Sequence, residues 1–216
     1  MSVIAPPSIA VIICSQRKPR VCPQIADFVV ETLQSNRLSV GPDVGPPASL
    51  HLIDLATWNL PIFDEPTIPS QVHHHSGYKQ PHTQAWSIEI QKYQGFIYVL
   101  PQYNWGYPAA IKNAIDYLFN EWKGKSGMIV SYGGHGGVKS AAQFRQVLFG
   151  VRMKVAETMP ALTFPSKEDM YHASRGEPLC LSGEKEIWKP EREVICKAFD
   201  ELLLLLSPGT EDVQSA

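Results

Sequence analysis

The chain has 216 residues, enough to bury one hydrophobic core of generous size. Its 19 basic and 21 acidic residues leave a formal net charge of −2 with no polybasic run, which removes the electrostatic case for nucleic acid or an anionic membrane surface. Small molecules or another protein are the partners this composition allows.

No stretch approaches the ~20 apolar residues of a membrane span. Ile9 to Ile13 is too short for a signal core and "RKPR" follows it, while the five leucines ending 198–206 also fall short, so a soluble intracellular protein is expected. Cys14, Cys22, Cys180 and Cys196 show neither CxxC nor zinc spacing and read as free thiols.

In chain order, "SIAVIIC" (8–14) is a β-branched run suited to a strand buried on both faces. Val21, Ile25, Val29 and Leu33 then recur at helical spacing with Pro23 in the first turn, so a helix starts near Cys22. A breaker-rich connection (34–49) leads to a second strand at 50–55, and the proline-dense loop 56–80 predicts extended chain. A helix from about Pro81 to Tyr93 precedes a third strand, "GFIYVLP". Past Pro108, Ile111, Ala114, Ile115, Leu118 and Phe119 form one apolar helical stripe. The fourth strand is 126–134, and a helix from about Val138 to Phe149 follows, closed by Gly150. "RMKVAE" (152–157) serves as a fifth strand, 165–187 reads as irregular, a last helix covers about 190–206, and 208–216 is a tail.

This alternation predicts a single α/β domain over 1–216, a flavodoxin-like three-layer sandwich with a five-stranded parallel sheet in order 2-1-3-4-5. Ligands of such sheets bind at the carboxyl ends of the strands, which singles out the loops after strands one, three and four. In the first, "CSQRKPRVCP", Ser15, Arg17, Arg20 and the helix-start N–H groups of Val21 and Cys22 suit a phosphate; the alternative is a solvated basic loop. In the third, Pro101, Gln102, Tyr103, Asn104, Trp105 and Gly106 offer flat surface and an amide for a planar ring. Trp105 and Tyr107 can equally cover a sheet edge or a dimer seam. In the fourth, Tyr132, Gly133, Gly134, His135 and Gly136 offer backbone N–H groups to ligand carbonyls, with His135 open between surface and site roles. "VHHHS" (72–76) lacks a complete metal ligand set, so no metal is expected.

"PQYNWGYPAAIKNAIDYL", "EWKGK" and "VSYGGHGG" together resemble the NADPH-dependent FMN reductase family, and within it fungal FMN-containing quinone reductases, from about Ser8 to Val155. The resemblance implies that Ser15, Arg17 and the N–H groups around Val21 and Cys22 hold the FMN phosphate. It places 101–105 beside the isoalloxazine and ribityl chain, and 132–136 along the pyrimidine edge. Cys14 stands where the family usually has glycine, and a left-handed backbone there would strain it.

The implied activity is hydride transfer from NADPH, or NADH, to FMN and then to a quinone or similar acceptor in a ping-pong cycle, with no catalytic side chain because the cofactor carries the chemistry. The resemblance also implies a homodimer with the flavin near the interface and, in particular relatives, association with the proteasome; the expected location is the cytoplasm, with the nucleus as an alternative. Two rival readings stand beside the enzyme: a flavin-bound interaction protein switched by redox state, and a module that binds no flavin.

Overall fold

The structure is a computed structural model that describes residues 6–39 and 48–206. The strands are β1 (Ser8–Ile13), β2 (Ser49–Asp54), β3 (Gly95–Pro101), β4 (Ser126–Gly133), β5 (Lys154–Val155) and β6 (Ala161–Thr163). The helices are α1 (Cys22–Ser39), α2 (Leu55–Trp58), α3 (Pro81–Gln91), α4 (Ala109–Asp116), α5 (Val138–Gly150), α6 (Lys167–Ser174) and α7 (Glu191–Leu206).

The sheet is parallel in the order β2-β1-β3-β4-β5, as the alternating pattern predicts, and a sixth strand outside that expectation, β6, also pairs with β4. Its central strands are buried along almost their whole length because both faces are covered. Ala10, Ile12, Phe96, Tyr98 and Ile129 face a core with α3, α4 and α5, while Ile9, Val11, Ile97, Val99, Met128 and Val130 face a core with α1 and α7. The period of two along each strand therefore sorts its side chains between two cores.

The elements depart from the expectations in five places. Helix α1 runs on to Ser39 through residues read as connection. The loop 56–80 is not simply extended: α2 opens under an N-cap from Asp54, and two short 3-10 turns follow at Pro69–Gln71 and His75–Gly77. The fifth strand is split. After Val155, the Thr158 N–H and hydroxyl bond Glu201 of α7 at 2.8 and 2.6 Å, drawing the chain off the sheet edge until β6 returns beside Ser131–Gly133. Finally, 165–187 is not wholly irregular, since it contains α6, whose N-cap Ser166 accepts from the Asp169 N–H. The stripe after Pro108 is shorter than expected: α4 ends at Asp116, and Phe119 is half-buried beyond it. The expected tail at 208–216 lies outside the described residues.

Candidate functional site

Three strand ends and α6 enclose a pocket of about 200 Å³. Strand β1 delivers Ser15, Arg17, Arg20 and Val21, β3 delivers Pro101, Gln102 and Tyr103, and β4 delivers Tyr132, Gly133 and Gly134. The neighbours β1 and β3 are where the winding of the sheet reverses, which leaves a crevice between diverging loops. The pocket lies among the three loops that the sequence pattern singles out.

The first loop is held by charge. Arg20 makes a bidentate pair with Asp54, 2.7 Å from Nη1 to Oδ1 and 2.5 Å from Nη2 to Oδ2, and also donates to the Ser15 carbonyl. Its bond to Asp54 raises the pKa of Arg20 still further. Burial works to raise the Asp54 carboxyl, but the bonds from Arg20 and the Ala56 N–H outweigh it and hold the group below its ordinary value. Arg17 has no carboxylate partner among the described residues; its Nε donates to the Pro19 carbonyl at 3.1 Å. Arg17 is therefore the cation with charge to offer an anion, whereas Arg20 shapes the loop.

Ser15 is fully buried, and its hydroxyl lies 2.6 Å from that of Tyr103, tying the first loop to the third. Cys22 begins α1 but does not line the pocket; its thiol bonds the Val99 carbonyl at 3.3 Å. Burial pushes the Cys22 thiol up, and burial together with Cys22 pushes the Tyr132 phenol well up, so both stay neutral and add no negative charge beside a phosphate. Cys14 does not have the left-handed backbone that would strain it. Its N–H donates to the Val99 carbonyl at 3.0 Å, continuing the ladder of β1, and its side chain packs in the core.

In the third loop the chain makes a two-residue hairpin. Tyr103 and Gly106 exchange both backbone hydrogen bonds at 2.9 Å, and the turn residues Asn104 and Trp105 take φ of 46° and 71°. That is the backbone of a type I′ turn, in which Asn is favoured first and Gly second; here Trp takes the glycine place. Trp105 is 62% exposed with Lys139 over its ring at 5.9 Å, and its carbonyl accepts from Gln143 at 3.3 Å. Asn104, Trp105 and Gly106 stand outside the pocket wall. Gly106 brings the backbone close to Gln143, where a Cβ would lie 3.2 Å from Oε1, and Tyr107 leans on Phe144 at 5.5 Å between ring centres.

Of the fourth-loop residues, Tyr132, Gly133 and Gly134 line the pocket, while His135 is exposed outside it. Gly136 and Gly137 serve the fold instead, with φ of 68° and 77°. A Cβ on Gly136 would come within 2.9 Å of Thr163 Oγ1, and one on Gly137 within 2.9 Å of the Tyr132 backbone.

The remaining wall, Phe164, Met170, Ala173 and Ser174, was not legible as a site in the sequence. One cue existed: Ser166 followed three residues later by Asp169 is a helix-start signal. The histidines of 73–75 lie elsewhere, and among the described residues no group of three or more His, Cys, Asp or Glu side chains could hold a metal ion. No helix of the described residues is long and apolar enough to cross a membrane.

A parallel sheet in this order, with helices on both faces and a crevice at the carboxyl ends of β1, β3 and β4, defines a flavodoxin-like α/β protein. The family model described as NADPH-dependent FMN reductase matches residues 7–164, and the chain belongs to that family. It is an oxidoreductase with FMN as cofactor and NAD(P)H as electron donor. An NAD(P)H-dependent FMN reductase of Schizosaccharomyces pombe is 45% identical over 159 residues, covering 74% of each chain. Another, from Saccharomyces cerevisiae, is 39% identical over 168 residues, covering 75% of this chain and 86% of its own. The fold matches that of a Corynebacterium diphtheriae oxidoreductase with a TM-score of 0.61 at 18% identity, covering 93% of this chain and 97% of the other. The lining fits FMN: a buried hydroxyl, a guanidinium with no carboxylate partner among the described residues, and aromatic and glycine surface border one pocket.

Proposed function

We propose that the pocket holds FMN with its phosphate at Ser15, Arg17 and the first turn of α1, and its ring end toward Gln102, Tyr103 and the Gly133–Gly134 backbone. Bound there, FMN supplies the chemistry, taking hydride from NAD(P)H and passing electrons to a quinone or similar small acceptor in a ping-pong cycle. The observation that carries this reading is that a single pocket is lined by both the Ser15–Arg17 pair and the Tyr103–Gly134 wall.

In this reading Arg17 supplies a charge-assisted hydrogen bond to the phosphate. Asp54 keeps Arg20 in place as a strut under the Ser15 carbonyl. The Ser15–Tyr103 contact fixes the spacing between the phosphate end and the ring end. Backbone donors of the glycine turn, held before any ligand arrives, favour the negative charge that reduction brings to the ring edge. No side chain of this chain acts as nucleophile.

A visible absorption spectrum tests the whole reading. Purified protein should be yellow, bleach on addition of NADPH and recover its colour with a quinone; a colourless preparation that cannot be reconstituted with FMN would overturn it. Arg17→Ala should weaken FMN binding by about 1.5–3 kcal/mol, measured by fluorescence titration.

We further propose that the chain pairs with a second copy seated over the hairpin, where Trp105 is exposed. Light scattering after size exclusion should then give twice the 24.0 kDa chain mass.

A further inference from the structure

The pocket is small for a ligand site and open on one side. Its volume of about 200 Å³ lies below the roughly 300–1,000 Å³ usual for such sites, so a whole nucleotide either projects from it or displaces part of its wall. Most of that wall is fixed. Ser15 and Tyr132 are buried, Ser15 is tied to Tyr103, and Pro101 and Tyr132 are paired in the sheet.

The remaining side is α6, which lies beyond residue 164, where the family match ends. Its carboxyl end is anchored. The Glu177 N–H bonds the His172 carbonyl at 3.0 Å, and Gln24 of α1 bonds the backbones of Glu177 and Leu179 at 3.2 and 3.0 Å. Gly176, at φ 69°, sits so close to the first loop that a Cβ on it would lie 2.8 Å from Pro19 Cβ. The Ala173 carbonyl also accepts from Arg17 Nη2 at 3.4 Å, a bond that spends only part of the guanidinium's donor set and leaves donors for a phosphate.

Met170, one turn earlier, is the part of this wall that can give. It is 38% exposed, and its Sδ rests on the glycine loop, 2.8 Å from where a Cβ on Gly134 would stand. An unbranched thioether with three rotatable bonds can leave such a position without disturbing the helix that carries it.

We propose that α6 is a cap on the cofactor site: Met170 is a movable plug over its mouth, and Arg17 fastens the cap to the phosphate end. The proposal rests on the FMN reading above and adds Met170 and Ala173 to the residues that enclose the cofactor. A plug stands in the way of entry and exit alike, so it slows uptake and release by a similar factor. A simple wall contact slows release alone.

The test uses the full chain freed of flavin, with FMN as the probe. Quenching of flavin fluorescence on mixing reads uptake, and its recovery on dilution reads release. Met170→Ala should raise both rate constants by about tenfold and leave their ratio within about twofold, while Met170→Leu, which refills the space, stays near the parent. Ser166→Ala, which removes the N-cap of α6, should speed both steps by a smaller factor. Because Met170 is partly exposed, the fold should survive its truncation. Rates indifferent to Met170→Ala, or a rise in release alone, would overturn the cap while leaving the cofactor reading intact. A parent chain that takes up no flavin overturns the cofactor reading and the cap with it.

Discussion

The glycine loop after β4 and the aromatic hairpin after β3 both turn through left-handed backbone, but they place different residues there. In the glycine loop the positions are Gly136 and Gly137, which adopt such angles freely and have no room for a side chain. In the hairpin they are Asn104 and Trp105, and a bulky aromatic at φ 71° is an outlier that its surroundings must hold in place. Two backbone hydrogen bonds and Gln143 do so. The same backbone shape therefore answers a packing demand in one loop. In the other it projects a large flat side chain into solvent at the rim of the site.

The largest effect that would sharpen this contrast is expected at Gly137→Ala. The new Cβ would sit 2.9 Å from Ser131 Cβ and from the Tyr132 backbone in a strained conformation, so a loss of roughly 3 kcal/mol is expected in urea unfolding. The first loop has no left-handed residue and leans on charge instead. Asp54→Asn should cost about 1–2 kcal/mol at neutral pH. Asp54's pKa is depressed in the fold, so its contribution is present above the unfolded value and is lost as pH falls through the folded one. The gap between Asp54→Asn and the parent should accordingly close below about pH 4.

A smaller effect of opposite sign is expected in the hairpin. Trp105→Gly relieves left-handed strain of about 1–2 kcal/mol against an added entropic cost of about 0.5–1, so a net gain of about 0.5–1 kcal/mol is expected. A loss of stability on that substitution would break the comparison, because it would mean that contacts of the indole outweigh the strain. Smallest of all is Gly134→Ala. Only the Met170 thioether stands in its way, so a change within about 0.5 kcal/mol in the same unfolding assay separates this pocket-facing glycine from its structural neighbours.

The sheet order was legible because the central strands are mainly apolar runs and each is followed by a helical stripe. "GFIYVLP" is buried at every position, which only a strand covered on both faces requires. The split fifth strand was not legible, since Ala161–Thr163 is too short to show a period and the force that parts it from Val155 is a contact with Glu201, distant in sequence. Helix α6 was missed because "KEDMYHAS" buries Ala173 alone and shows no stripe; its start was written only in the Ser166 cap. The loops that line the pocket were legible by their chemistry and their place after strands. What each residue does was harder to see. Arg17 and Arg20 look alike in sequence, and it is Asp54, across the neighbouring strand, that engages one of them.

The split of the fifth strand bears on how the protein avoids sticking to its own kind. A long bare sheet edge presents a row of unpaired peptide groups on which another chain can add a strand. Here that margin is divided into two residues at β5 and three at β6. The chain departs toward α7 between them, and Pro160, which has no N–H to give, stands just before the second piece. An incoming strand would find too short a run at either piece to hold its register. The detour that obscured this strand in the sequence therefore also guards that margin against aggregation.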